Sequence, residues 1–144
     1  MGPISYTFDM DEVDWAELRE TLSADDFHNG RTVEQYEASF RNSAAAVVAK
    51  AGGRIVGTAR ALSDGVCNAY IVDVWTLSAY RRQGVARTMM EMLLARFPGQ
   101  HAFLFTDDAP HFYERIGFAR RGMGYEAVVG EWLVNEHKQG GGYG

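Results

Sequence analysis

The sequence lacks several features that would direct it to particular classes of protein. It contains a single cysteine, Cys67, which excludes an internal disulfide framework and a multi-cysteine metal site. No apolar run approaches membrane-spanning length, and no N-terminal stretch combines a basic start with an apolar core. The histidines, at His28, His101, His111 and His137, show no metal-ligand spacing. We therefore expect a cytoplasmic protein with no bound metal and no membrane partner.

Positive charge is also scarce, and two nucleotide-binding patterns are missing. The chain has 14 Lys and Arg against 19 Asp and Glu, a net charge of −5. Nucleic-acid binding usually needs a basic surface, so we expect no nucleic-acid partner. The acids are concentrated before residue 40, where they either attract a cation or form solvated helix faces. The missing G-x-G-x-x-G and G-x-x-x-x-G-K-[ST] patterns argue against an NAD or ATP site.

What is present fits a small folded domain. The 144 residues are 47% hydrophobic and 12% aromatic, enough for one domain with a single core. We predict that this domain covers residues 1–138. The last segment, residues 139–144, is Gly-rich and is predicted to be a disordered tail.

Periodicity and turn residues predict the element order β-α-α-β-β-β-α-β-α-β, an α+β (mixed α/β) fold with helices on both faces of a twisted sheet. The predicted strands are Ile4–Phe8, Ala45–Ala51, Arg54–Leu62, Ala69–Leu77, Ala102–Thr106, which reads as a buried strand, and one within Tyr125–Val129. The predicted helices are Asp14–Leu22, Val33–Arg41, Val85–Phe97 and Ala109–Ile116. Asp14 and Thr32 are the predicted N-caps, and Gly52-Gly53 is a predicted hairpin turn.

The most informative stretch follows the strand that ends near Leu77. A turn with two arginines and Gly84 leads directly into an amphipathic helix. The first turn of a helix offers unpaired N–H groups and partial positive charge, which suit a phosphate. From these residue types alone, an anion site and an ordinary strand-to-helix corner fit equally well.

Order and spacing give a family resemblance. The pattern Arg81-x-x-Gly84-x-Ala86 matches the acyl-CoA signature Arg/Gln-x-x-Gly-x-Gly/Ala, and Phe112-Tyr113 followed by Gly117-Phe118 matches a second conserved feature. With these two motifs in this order, the chain resembles the GCN5-related N-acetyltransferase (GNAT) superfamily over roughly residues 45–132. It departs from the family at Thr106, where an asparagine is usual.

The resemblance implies a twisted, mostly antiparallel sheet of six to seven strands with about four helices. It also implies acetyl-CoA as the acyl donor. The residues expected to hold the diphosphate are Arg81, Arg82, Gln83, Gly84, Val85 and Ala86. Those expected along the pantetheine arm are Val74, Trp75 and Thr76, with Asp107 and Tyr113 as further cofactor-binding residues.

Amine attack on a thioester requires a neutral amine, and deprotonating an alkylamine of pKa near 10.4 costs roughly 4–5 kcal/mol at pH 7. Asp73, inside an otherwise apolar strand, is the first candidate for the base. The alternative interpretation of Asp73 is a strand acid that faces solvent or bonds to a turn. Asp64 is the second candidate, and by itself it reads as the first residue of an Asp-Gly turn. The run from Arg60 through both aspartates also resembles the arylalkylamine (serotonin-type) acetyltransferase-like subgroup.

Tyr113 is the candidate general acid, acting mainly as a hydrogen-bond donor to the developing thiolate. Its alternative is a core aromatic residue beside Phe112. The candidates for an acceptor pocket are Trp15, Phe27, His28 and Tyr36, with the acids Asp25 and Asp26 favouring a cationic substrate. Simple packing of these aromatic residues explains them as well.

Together these features predict an N-acetyltransferase that transfers acetyl from acetyl-CoA to a primary amine of a small molecule by direct attack in a ternary complex. Three alternatives stay open, namely a protein lysine acetyltransferase, an N-terminal acetyltransferase, and a sensor that binds acyl-CoA without catalysis. A homodimer is a possible assembly.

Overall fold

The computed structural model describes residues 2–133. The predicted tail at 139–144 and the predicted domain end at residue 138 lie outside these residues. The chain divides into two compact units, with the boundary between Phe105 and Thr106, and each unit is described by itself. The single domain over residues 1–138 stays a prediction.

The first unit is built around a five-stranded mixed sheet in the order β1-β2-β3-β4-β5. Its elements are β1 (Ile4–Thr7), a 3-10 turn (Met10–Glu12), α1 (Trp15–Ala24), α2 (Val33–Arg41), β2 (Ala45–Ala51), β3 (Arg54–Ser63), β4 (Asn68–Thr76), a 3-10 turn (Ser78–Tyr80), α3 (Val85–Leu94) and β5 (His101–Phe103). Adjacent strands are antiparallel except β4 and β5, which are parallel and joined through α3. The second unit contains α4 (Pro110–Arg115) within its described residues.

Local sequence signals set the ends of these elements as predicted. The Asp14 side chain accepts a hydrogen bond from the Glu17 amide and caps α1. Thr32 caps α2 through a capping box with Gln35. Gly52 and Gly53, at φ 56° and 85°, make the β2–β3 turn, whose left-handed backbone favours glycine.

Helices cover both faces of the sheet, which confirms the mixed fold. On one face, α3 packs so closely on β3 that a Cβ added to Gly57 would lie 2.9 Å from Met89 Cε and 3.2 Å from Val85 Cγ1. On the other face, the Arg60 side chain of β3 reaches α2, where its Nη1 donates to the Ser39 carbonyl oxygen at 3.5 Å, and it also donates to Ser43 Oγ, just after α2, at 3.3 Å. The sheet core between them is fully buried. Within residues 2–133, every helix is too short or too polar for a membrane span.

The prediction of six to seven strands was wrong for the described residues, which contain five. The segment 125–129 forms no strand, because its side chains lie in solvent with no strand beside them; Tyr125 is 87% and Val129 97% exposed. The strand predicted at 102–106 is shorter, at His101–Phe103, and it is an exposed edge strand instead of a buried one. Helix α3 also ends earlier than predicted, at Leu94.

Candidate active site

The central feature of the first unit is the open edge of β4. Strand β5 pairs with β4 only over Asn68–Tyr70. From Ile71 to Thr76, no strand of the described residues lies on that side of β4, while β3 continues to pair with its other side. At the end of this stretch, the Thr76 Oγ1 atom is buried and has no hydrogen-bond partner among the described residues. This half of the strand therefore has backbone and side-chain groups left for a ligand.

A β-bulge interrupts β4 in the middle of this open stretch. Thr58 pairs with Trp75 and Arg60 with Val72, so that Asp73 and Val74 together lie opposite the single residue Ala59. Asp73 has a φ of 55°, in the left-handed region. Its carbonyl oxygen accepts a hydrogen bond of 2.8 Å from the buried Thr58 hydroxyl. Such a bulge changes which backbone groups of β4 point to β3 and which to the open edge.

Two arginines hold the Asp73 carboxylate. Arg31, between α1 and α2, binds it with two parallel bonds of 2.8 and 2.9 Å, and Arg60 Nε donates at 2.6 Å. The three side chains are 6%, 10% and 12% exposed for Arg31, Asp73 and Arg60. Burial opposes ionisation of Asp73, but the hydrogen bonds and charges of Arg31 and Arg60 outweigh it, so the pKa of Asp73 lies below its usual value. A carboxylate in this state is a weak proton acceptor.

The turn after β4 leaves the N-terminus of α3 without a side-chain cap. Gly84 occupies the N-cap position at φ 81°, and no side chain bonds there. A Cβ at Gly84 would meet nothing within 4 Å, so the space in front of the helix is open. The Thr88 amide donates to the Gly84 carbonyl, which begins the helical bonding and leaves the earlier amides outside it. Arg82, at φ 63°, adds exposed positive charge around this end, and the exposed Arg87 lies 3.5 Å from Glu91.

Asp25, at the end of α1, fastens this turn. Its carboxylate accepts hydrogen bonds from Trp75 Nε1 at 2.9 Å, from Ser78 Oγ at 2.6 Å and from the Ser78 amide at 3.2 Å. Arg81 lies 3.5 Å from the same carboxylate and donates to the Thr76 carbonyl at 3.1 Å. Burial acts to raise the pKa of Asp25, but these bonds outweigh it and lower the pKa. Asp25 therefore orders this turn, and the attraction of a cationic substrate stays a prediction.

The four predicted acceptor-binding residues differ in their burial and in their ring partners. Tyr36 is fully buried, and its hydroxyl lies 3.3 Å from His28 Nδ1. Trp15 is buried instead against Phe40, with ring centroids 5.6 Å apart. Phe27 is 38% exposed and follows the end of α1. The structure therefore pairs His28 with Tyr36 and places Trp15 in the helical core.

Asp64 lies in the β3–β4 turn, where its Oδ1 accepts hydrogen bonds from the amides of Val66, Cys67 and Asn68 at 2.8 to 3.1 Å. These bonds hold the pKa of Asp64 well below its usual range. Its contacts are those of a turn-forming aspartate, the alternative already evident in the Asp-Gly sequence.

In the second unit, the Tyr113 ring packs between Phe112 and Phe118, with centroids 5.0 and 5.9 Å away. Burial and the nearby charge of Asp108 raise the pKa of Tyr113 to about 12. Asp107 is exposed in the segment before α4. Tyr113 is therefore a phenol that keeps its proton throughout the physiological range.

Comparison with known proteins decides the family. The model of the acetyltransferase (GNAT) family matches residues 8–118. The chain belongs to this family. Solved structures with a GNAT-like fold include a probable acetyltransferase from meticillin-resistant Staphylococcus aureus (20% identity, TM-score 0.74, covering 88% of this chain and 100% of that one).

Two further structures share the fold. A GNAT-family acetyltransferase from Streptococcus pneumoniae TIGR4 has 24% identity and a TM-score of 0.69, over 90% of this chain and 100% of that one. Glucosamine-6-phosphate N-acetyltransferase from Arabidopsis thaliana has 15% identity and a TM-score of 0.67, over 88% and 98%. No curated protein sequence matches the chain. These identities establish the fold and leave the acceptor to be inferred from the site.

GNAT acetyltransferases use acetyl-CoA, and the observed groups fit its two polar parts. The uncapped α3 terminus with open space at Gly84 suits a diphosphate. The unpaired edge of β4 and the orphaned Thr76 hydroxyl suit an amide-containing arm. Among residues 2–133, no cluster of His, Cys, Asp and Glu has the geometry of a metal site.

Proposed function

We propose that this GNAT protein is an acetyl-CoA-dependent N-acetyltransferase that acts on a primary amine of a small molecule. The observation that carries the proposal is the continuity of the open, bulged edge of β4 with the uncapped N-terminus of α3. The helix terminus suits an anion, and the strand edge offers unpaired backbone groups. A coenzyme with a diphosphate at one end and a thioester at the other matches this arrangement.

In this proposal the coenzyme supplies the activated acetyl group, and the chain holds and orients it. The amides that open α3, together with Arg82 and the backbone around Gly84, bind the diphosphate. Val74, Trp75 and Thr76 bind the pantetheine arm along the strand edge. A backbone N–H near Trp75 or Thr76 stabilises negative charge on the acetyl oxygen as the amine attacks.

Tyr113 is proposed to hydrogen-bond the departing thiolate. With a pKa of about 12 it is a much weaker acid than a thiol of pKa near 8.5, so complete proton transfer to sulfur is uphill by about 5 kcal/mol. Its contribution is therefore a hydrogen bond to developing charge. Asp73 and Asp64, the predicted bases, are both engaged by other groups that favour their ionised forms. The amine is then proposed to lose its proton to bulk solvent before it attacks, at a cost of roughly 4–5 kcal/mol at pH 7.

The acceptor is proposed to meet the loop between α1 and α2, where Phe27 and His28 offer partly exposed rings. An arylalkylamine fits stacking on such rings, in line with the subgroup resemblance. The amino-sugar phosphate used by the Arabidopsis thaliana enzyme is a second class to test, since the turn before α3 carries the exposed arginines Arg81 and Arg82.

The first experiment measures thiol release from acetyl-CoA over a panel of arylalkylamines, polyamines, amino acids, amino-sugar phosphates and basic peptides. Calorimetry with coenzyme A accompanies it. We expect binding and turnover with at least one small amine. Turnover with basic peptides alone would favour a protein acetyltransferase. The absence of coenzyme binding at millimolar concentration would refute the proposal.

Tyr113→Phe separates an enzyme from a sensor. Removing one hydrogen bond to a charged transition state costs about 1.5–3 kcal/mol, or about 10- to 150-fold in kcat. Tyr125→Phe is the matched control, because Tyr125 lies in the same unit and is 87% exposed. We expect Tyr113→Phe to lose turnover and retain coenzyme binding. Binding without turnover in the wild-type protein would identify a sensor.

A further inference from the structure

The least expected feature of the first unit is a buried ion-pair cluster beside the bulge. Arg31 and Arg60 both bind the Asp73 carboxylate, so that the cluster carries one net positive charge. Neither arginine touches any other carboxylate in the described part of the chain. Burying such a cluster is costly, and replacing it with apolar residues is often neutral or stabilising. Stability alone therefore does not explain its presence.

The backbone at Asp73 points to a different role. Asp73 is a non-glycine residue with a φ of 55°, and it is one of the two β4 residues that form the bulge. This region is unfavourable for most L-residues, and although aspartate tolerates it better than most, the contacts around Asp73 stabilise it there. Here three groups do so. Arg31 and Arg60 fix the side chain, and the Thr58 hydroxyl fixes the carbonyl.

We propose that Arg31 and Arg60 clamp Asp73 and thereby maintain the bulge that sets which backbone groups of Val74–Thr76 face the open edge of β4. The three are positioning residues, and Asp73 itself does not take the amine proton. The inference rests on the proposed function, because it assigns the clamp to the strand that would hold the thioester. It also links the α1–α2 loop, which carries Arg31, to the reacting end of that strand.

Two substitutions at one position isolate the backbone contribution. Asp73→Ala and Asp73→Gly both remove the carboxylate, but only glycine adopts the left-handed conformation without strain. The strain of alanine there, about 1–2 kcal/mol, corresponds to about a 5- to 30-fold difference in kcat between the two variants. We expect Asp73→Gly to be the more active, with the KM for acetyl-CoA changed less than about threefold in both, since the diphosphate grip at α3 is intact.

Hydrogen exchange supplies a readout that does not depend on activity. We expect the amides of Val74–Thr76 to exchange at least about tenfold faster in Asp73→Ala than in wild type. Arg54→Gln is the matched control, because Arg54 lies on the same strand as Arg60, is exposed and makes no side-chain bond within residues 2–133. It should leave both kcat and exchange unchanged.

Asp73→Ala leaves two buried arginines without a counterion, so Arg60→Gln serves if that variant fails to fold. It keeps the Arg31 bonds and should still raise exchange at Val74–Thr76 by at least about threefold. Unchanged exchange in the folded variants would overturn the clamp. Equal loss of kcat in Asp73→Ala and Asp73→Gly would show that the left-handed backbone at residue 73 does not limit turnover, and would also overturn it. If wild type neither binds coenzyme A nor transfers acetyl, the proposed function fails, whereas exchange still decides the clamp.

Discussion

Adding one negative charge at the start of α3 tests the anion site directly. Ala86 is the second residue of α3, after Val85, and it is half-buried beside the open N-terminus. Ala16 occupies the same position in α1, after Trp15, and is exposed. Ala86→Glu and Ala16→Glu therefore introduce the same side chain at equivalent positions of two helices, of which one is the proposed diphosphate site.

The expected effects on stability and on binding have opposite signs. An acidic residue in the first turn stabilises a helix by about 0.3–1 kcal/mol through the helix dipole. Two like charges 4 Å apart repel by about 1 kcal/mol in water and about 4 kcal/mol near a protein surface. For a half-buried residue facing a diphosphate we use a repulsion of about 2 kcal/mol, which corresponds to about a 30-fold rise in Kd for coenzyme A. Ala86→Glu should thus keep or slightly raise its unfolding midpoint and lose coenzyme affinity.

Calorimetry with coenzyme A at low salt, together with thermal unfolding, measures both quantities. Ala16→Glu should bind as wild type does. Raising the ionic strength to 1 M should shrink the difference in Kd between the two variants, because it shortens the Debye length to about 3 Å. A Kd for folded Ala86→Glu within about threefold of wild type at low salt would show that the diphosphate does not bind at α3.

Three other perturbations give distinct outcomes. Gly57→Val should destabilise the first unit by about 1–3 kcal/mol in urea unfolding, because its Cβ would lie 2.9 Å from Met89 Cε. A smaller loss would mean that the flexible end of the Met89 side chain moves aside, or that α3 does. Asp25→Ala leaves the Trp75 indole N–H without its acceptor and should cost about 1–3 kcal/mol as well as raise the KM for acetyl-CoA; an unchanged KM would contradict the role in the turn. Because the folded-state pKa of Asp73 is depressed, its contribution to stability is complete above its unfolded pKa of about 3.9 and is lost as pH falls through the folded value. The unfolding free energy of wild type should therefore fall more steeply below pH 4 than that of Asp73→Asn, and parallel curves would contradict this.

Elements governed by local signals could be predicted from the sequence. The caps at Asp14 and Thr32 and the turn at Gly52-Gly53 were confirmed because each depends on residues within three or four positions of one another. The extra strand at residues 125–129 was wrong for the opposite reason. A strand needs a neighbour to pair with, and apolar residues flanked by glycines do not provide one.

The candidate site divides in the same way. The turn from Arg81 to Ala86 has a local pattern, which the amino-acid sequence alone makes recognisable. The clamp joins Asp73 to Arg31 across 42 positions and to Arg60 across 13, and the Ser78 hydroxyl donates to Asp25 across 53. Nothing in the residue types marks these as partners, since an arginine or an aspartate is equally compatible with any exposed surface. Only the sheet register and the α1–α2 loop bring them together.

The hydrogen bonds that Asp25 accepts also affect the kinetics with which a coenzyme would bind. Three bonds of 2.6 to 3.2 Å join Asp25 to Trp75 at the end of β4 and to Ser78 in the turn, and all three lie within the protein. A binding surface that is already ordered loses little conformational entropy when it is filled. The association rate would then be limited by diffusional encounter, which the arginines around the turn accelerate. Differences in affinity between acyl forms would arise chiefly from their dissociation rates.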